Sequence, residues 1–189
     1  MTLRNTLSWV LVVMAAVAVA WFMPLPSQDV TRIHSEITIA RPPAVVFDYV
    51  STPDNWPAWH PSSLAVRGAT DHPLGPGERV TETYLVAGGG GVVIWTVTDR
   101  RRPAAWVIEG EIEGRKAGTI AYTLTAQGQG TRFERDFSYT SPTLVFAVLN
   151  QLMLHRRIEA ESTETLNRLK ARLEGGAPAP GTKRPGFPS

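Results

Sequence analysis

Residues 131–174 read TRFERDFSYTSPTLVFAVLNQLMLHRRIEAESTETLNRLKARLE, and the change of period inside this stretch decides the fold class. From Thr131 to Thr140, Phe133, Arg135, Phe137 and Tyr139 share one face, while Arg132, Glu134 and Asp136 point the other way. That is the two-residue period of a strand with one buried face. Ser141 and Pro142 then open a helix, the serine as its cap and the proline in its first turn. Val145, Val148, Leu149, Leu152 and Met153 recur at i, i+3, i+4, i+7 and i+8, one apolar helical face. The helix continues to about Glu174, with Leu166, Leu169 and Leu173 as a thinner stripe and Glu159, Glu161, Arg168, Lys170 and Arg172 on a solvated face.

Upstream, the same two-residue period recurs between turn signals. A first strand is predicted over Val30 to Ala40. Arg41-Pro42-Pro43 stops it and starts a helix that places Val46, Phe47 and Val50 on one face; Pro43 suits its first turn. Asp54 caps a second short helix holding Trp56 and Trp59, kept short by Pro57 and Pro61. Further strands follow over Ser63 to Ala69, Glu78 to Ala87, Val92 to Asp99, Ala105 to Glu113, Ala117 to Ala126 and Thr131 to Thr140. Their connections, among them His72 to Gly77, Gly88 to Gly91 and Gln127 to Gly130, are turn-forming, which predicts an antiparallel meander. Gly88 to Gly91 joins two strands and lacks a following Lys-Ser/Thr, so it reads as a turn and not a phosphate loop. Arg100-Arg101-Arg102 reads as a solvated turn.

The order is strand, two short helices, six strands and a long C-terminal helix. It resembles the helix-grip fold of the START-like (SRPBCC) superfamily, which includes polyketide cyclase/dehydrase-like proteins and the birch pollen allergen. Several local signals carry the resemblance: Ile39 to Phe47 before the first helix, Asp54 to Pro61 as an aromatic turn, Gly75-Pro76-Gly77-Glu78-Arg79, and Gly130-Thr131-Arg132-Phe133. It covers nearly all of Val30 to Glu174. It implies an α+β domain in which a curved sheet grips the long helix, with a cavity between them. It implies no single reaction, because the fold serves lipid carriers, hormone receptors and enzymes.

Strand alternation then names the residues expected to face that cavity. They are Glu82, Tyr84, Trp95, Trp106, Tyr122, Phe133, Arg135 and Phe137 from the sheet, with Trp59 from the aromatic turn and Leu149 and Met153 from the helix. Glu82 and Arg135 stand out, since each is a charge on an otherwise apolar face, where an unpaired charge is costly. They either pair with each other or orient the polar end of a ligand, unless a bulge or strand end turns them outward. Arg135 suits a carboxylate or phosphate, because its planar fork binds both oxygens. In the superfamily this position is often apolar or aromatic.

The chain begins with an apolar run. Leu7 to Met23 carries no charge and has Trp9 and Trp21 near its ends. It is read as a transmembrane helix, just long enough to span, with Arg4 on its inner side and the domain extracytoplasmic. The rival is a cleaved signal peptide, with Ala18-Val19-Ala20 as its small-x-small site, which makes the domain secreted. The domain plan is residues 1–28 as anchor or signal and spacer, 29–174 as the folded domain, and 175–189 as a disordered Gly/Pro-rich tail.

The absence of cysteine excludes disulfides, thiolate metal sites and a cysteine nucleophile. Net charge is only +2, so no nucleic-acid partner is expected. The four histidines, His34, His60, His72 and His155, show no metal-ligand spacing, and no metal or other cofactor is expected. The leading function is non-catalytic binding or transfer of a small hydrophobic, lipid-like ligand beside a membrane reached through the N-terminal helix. A second is a cyclase-like enzyme using Glu82, Tyr84, Tyr122 or His60 as acid or base, with Arg135 on an oxyanion. A third is a protein-interaction module whose cavity is vestigial. The sequence leaves the oligomeric state open.

Overall fold

The computed structural model describes residues 3–23, 30–86, 88–141 and 143–175, with side chains from residue 9 onward except that of Phe22. The alternating segments form β1 (Val30–Ile39), β2 (Ser63–Gly68), β3 (Arg79–Val86), β4 (Gly89–Arg101), β5 (Ala105–Ile112), β6 (Arg115–Gln127) and β7 (Gly130–Thr140). They make one seven-stranded antiparallel sheet in the order β1-β7-β6-β5-β4-β3-β2. Between β1 and β2 lie α2 (Pro43–Ser51), a 3-10 turn (Pro53–Asn55) and α3 (Trp56–Trp59), and α1 (Leu3–Phe22) precedes β1. After β7 come α4 (Leu144–Leu149), a π-helical turn (Asn150–Leu154) and α5 (His155–Glu174). This is the helix-grip α+β architecture, with α5 packed on β1 and α3.

The buried faces are the ones the alternation names. Val80, Val93, Val97, Trp106, Ile108, Leu124 and Phe133 are buried, and α2 contributes Val46, Phe47 and Val50. They meet Leu166, Leu169 and Leu173 of α5 in a solid core. Polar hooks set the helix on the sheet: Arg41 Nε donates to the Leu173 carbonyl (2.7 Å) and Lys170 Nζ to the Thr38 carbonyl (2.6 Å). A smaller cluster of Ile33, Tyr139 and Ile158 closes the other end. There Tyr139 Oη donates to Asn150 Oδ1 (2.6 Å) and Asn150 Nδ2 to Thr31 Oγ1 (2.9 Å), tying the π-helical turn to the sheet.

Three expectations change. The glycine run is mostly strand: Gly89, Gly90 and Gly91 pair with Val86, Leu85 and Tyr84, and only Gly88, at φ +88°, makes the turn. The reason is an aromatic ring lying on bare backbone, since a Cβ at Gly91 would come within 2.7 Å of Tyr84 Oη. Arg100 and Arg101 belong to β4, with the Arg100 guanidinium 5.7 Å from the centre of the Phe47 ring. Arg102 grips Asp48 through Nε and Nη2, each at 2.7 Å, and so pins this turn to α2. The long helix is capped by Thr143, whose Oγ1 accepts from Phe146 N, instead of Ser141; Pro142 lies outside the described residues.

The N-terminal expectation is corrected as well. Among the described residues, no helix is long and apolar enough to cross a membrane. Arg4, Asn5, Thr6 and Ser8 occupy the start of α1. The apolar remainder of α1, residues 9–22, is about 21 Å long at 1.5 Å per residue, short of the roughly 30 Å hydrocarbon core. The single-pass anchor, and the extracytoplasmic placement that followed from it, are therefore not supported. The spacer around Pro24 to Ser27 and the tail after Gly175 lie outside the described residues.

Trp95 repeats the ring-on-glycine arrangement, with a Cβ at its partner Gly110 falling 2.7 Å from the indole Cζ3. Gly110→Val should force that ring off the sheet and destabilise the domain by about 1–3 kcal/mol. Thermal unfolding measures the loss, and near-UV circular dichroism should show the displaced indole.

Candidate functional site

The half-buried Phe137 packs against both core clusters. Beside it, lined by β3 to β7, α3, α4, the π-helical turn and α5, lies a cavity of about 520 Å³. Its volume falls in the range of small-molecule sites. Apolar walls come from Val93, Ile108, Ile112 and Ile120 on the sheet and from Phe146, Leu154 and Ile158 on the helical side.

One end of the cavity is polar. Arg135 on β7 is almost wholly buried, 3% exposed. Its Nη1 donates to Ser162 Oγ of α5 (2.8 Å) and its Nη2 contacts His60 Nε2 (3.3 Å). Its guanidinium also lies 5.2 Å from the Phe137 ring centre. A guanidinium only donates, so Nε2 of His60 accepts and its proton sits on Nδ1. Burial, with a smaller contribution from the Arg135 charge, pushes the His60 pKa down to about 3, so the imidazole is neutral. Tyr122, stacked on Trp106 at 5.5 Å, is pushed up to about 12 by burial, against the pull of Arg135.

Glu82 on β3 lines the same cavity and accepts from Trp95 Nε1 (2.6 Å). Burial raises its carboxyl above the ordinary value; Ser63, Trp95 and the Arg135 charge pull the other way without cancelling that effect. Glu82 and Arg135 are not an ion pair among the described residues. Glu82 and Arg135 thus line one cavity from strands four pairings apart in the sheet, the carboxyl drawn toward its neutral form.

Of the residues expected to face the cavity, Trp59, Glu82, Tyr84, Trp95, Tyr122, Arg135 and Phe137 line it. Trp106 and Phe133 are fully buried in the core and do not line it. Leu149 and Met153 are each 41% exposed and do not line it either. Leu149 immediately precedes the π-helical turn and Met153 lies within it, where the spacing i, i+3, i+4 no longer tracks one face. Sequence reasoning missed Phe146, Leu154, Ile158 and Ser162. The signal for Ser162 was present: it is a small hydroxyl one turn beyond Ile158 on an otherwise apolar stripe. On the outer face His34, Glu36 and Glu134 each bring a ligand atom within 4.8 Å of one another. Arg132 pairs with Glu36 and with Glu134 there and so offsets part of their charge.

Residues 30–174 match the family model described as polyketide cyclase / dehydrase and lipid transport. The chain belongs to that family, and with it to the START-like superfamily. Similar solved structures are Ms6760 from Mycobacterium smegmatis (22% identity, 79% of this chain and 99% of that one, TM-score 0.56) and TTHA0849 from Thermus thermophilus (14%, 77% and 98%, 0.59). The di-domain ARO/CYC StfQ from the steffimycin biosynthetic pathway is also similar (15% identity, 77% of this chain and 52% of that one, TM-score 0.58). At these identities the likeness speaks for the fold alone. No curated protein matches the chain.

The two buried titratable groups act on stability with opposite sign. Unfolded, His60 takes a proton near its ordinary pKa of 6.5; folded, it refuses one until about pH 3. Its contribution is full above pH 6.5 and is lost as pH falls below that, by at most about 1.4 kcal/mol per pH unit. Glu82, with its pKa raised, binds its proton more readily when folded and stabilises as pH falls through that raised value. Between pH 6.5 and about 4.5, His60→Gln should therefore flatten the fall of Tm, and Glu82→Gln should steepen it.

Proposed function

We propose that this domain binds a small, predominantly hydrophobic molecule inside the cavity and does so without catalysis. The observation that carries this is the cavity itself, apolar along most of its wall and placed where the helix and sheet fail to meet. The family description, which includes lipid transport, is in keeping with it. No part of the reading depends on a membrane.

A cyclase-like activity is the second reading, favoured by one observation: Glu82 is a buried carboxyl on the cavity wall, drawn toward the protonated form in which it can donate a proton. His60, at about 3, is too weak a base to complete an acid–base pair near neutral pH. A synthetic poly-β-ketone thioester turned over by the wild type and not by Glu82→Gln would move the weight to the enzyme.

The neutral dye Nile red is expected to bind with one-to-one stoichiometry and a blue-shifted emission. Ile120→Trp, which fills the cavity from β6, should weaken it by roughly tenfold or more while Tm changes little. Val93→Phe is the second filling variant should the first fold poorly. Saturable dye binding that neither variant reduces would place the site elsewhere, and no saturable binding by the wild type would end the proposal.

A further inference from the structure

Building on that reading, we infer that the ligand is a monoanionic amphiphile: a carboxylic acid with an apolar body, bound with its carboxylate on Arg135. Three observations carry this.

The first is the charge balance of the cavity. Arg135 is a permanent cation held in a buried wall, and the acceptors it reaches, Ser162, His60 and Tyr122, are all uncharged. A buried guanidinium hydrogen-bonded to uncharged groups remains a site for a counter-ion. Glu82 forms no ion pair with it among the described residues, and the single charge of one guanidinium is matched by the single charge of a carboxylate. One carboxylate therefore suits the site better than a dianionic phosphate.

The second is an excess of donors. Arg135 Nε, His60 Nδ1 and Trp59 Nε1 are buried N–H groups without a partner among the described residues. They belong to contiguous side chains, with the Trp59 and His60 rings 5.7 Å apart. The three atoms are sealed within the wall and do not themselves face the cavity. They mark this corner as rich in donors and short of acceptors, the inverse of what a carboxylate brings.

The third is direction. Along β7, Arg135, Phe137 and Tyr139 alternate onto the cavity, so the last is about 14 Å from the first at 3.4 Å per residue. Along the facing helix, Ser162, Ile158 and Leu154 follow at four-residue steps of about 6 Å. On both rails the polar groups Arg135 and Ser162 give way to apolar ones, Phe137 on the strand and Ile158 and Leu154 on the helix. Gly89, Gly90, Glu113 and Arg115, at the β3–β4 and β5–β6 hairpin tips, border that far end. The ligand therefore lies head inward, with its tail toward the hairpin tips.

The test uses the whole chain and three ligands of one tail length: decanoic acid above its pKa, methyl decanoate and 1-decanol, each displacing Nile red. The wild type should bind decanoate about tenfold or more tighter than either neutral ligand, as expected for a hydrogen bond to a charged group. Arg135→Gln should lower the decanoate affinity to that of the neutral ligands and so abolish the preference. Ser162→Ala, which retains the cation, should keep the preference. Equal affinity for all three ligands in the wild type would overturn the head-group assignment and leave the cavity reading intact. Decanoate preference that survives Arg135→Gln would overturn the assignment to Arg135. Dye binding with no displacement by any of the three would also reject the proposed ligand class. A wild type that binds neither dye nor ligand would remove the reading on which this one rests.

Discussion

One helix has to cover one face of a seven-stranded sheet, and everything else in this domain follows from that mismatch. Strands spaced about 4.8 Å apart make a sheet roughly 29 Å wide, whereas a helix with its side chains is about 10 Å across. Even a sheet curled around the helix leaves ground to fill. At one end α2 and α3 supply the filling. Phe47, Trp56 and Trp59 join Trp106, Phe133 and the leucines of α5 in a solid core. At the other end the described residues supply only a short cluster around Tyr139 and Ile158, flanked by Phe146 and Leu154, and the space between stays open.

What lines that space is as informative as its size. Rings could have filled it, yet several lie flat against the sheet. Tyr84 rests on Gly91 and Trp95 on Gly110, each ring taking the place of a missing side chain on the neighbouring strand. The glycines thus widen the cavity while the aromatics keep its wall apolar. Into this wall the fold sets Arg135 and Glu82, two charges that burial penalises and that do not relieve each other by pairing. Stability alone would favour apolar residues at both positions. Their presence on the cavity wall is what connects the packing of this domain to binding.

Much of this was legible in the sequence because a half-buried strand writes its orientation into alternate residues. Phe133, Arg135, Phe137 and Tyr139 share a face in the sequence and in the structure, and so do Val80, Glu82 and Tyr84. Periodicity was less informative where backbone chemistry and tertiary contact compete. A run of glycines has turn propensity, but pairing with β3 under the Tyr84 ring makes most of it strand. Leu149 and Met153 have helical spacing, but the π-helical turn that begins after Leu149 and contains Met153 breaks the register that placed them inward. Residues 9–22 are apolar, but the polar residues before them leave too short a helix to span a bilayer.

The sequence by itself determined the class of fold and which face of each strand is buried, because both rest on local period and turn chemistry. It also marked Arg135 and Glu82 as charges out of place. It could not decide whether they would pair. That depended on the distance between β3 and β7, which four strand pairings set between them, and on α5 bringing Ser162 to Arg135 from 27 residues away. The cavity, too, exists only in the assembled domain. It is the volume left over when one helix and one sheet are packed together, and no single segment of chain encodes a remainder.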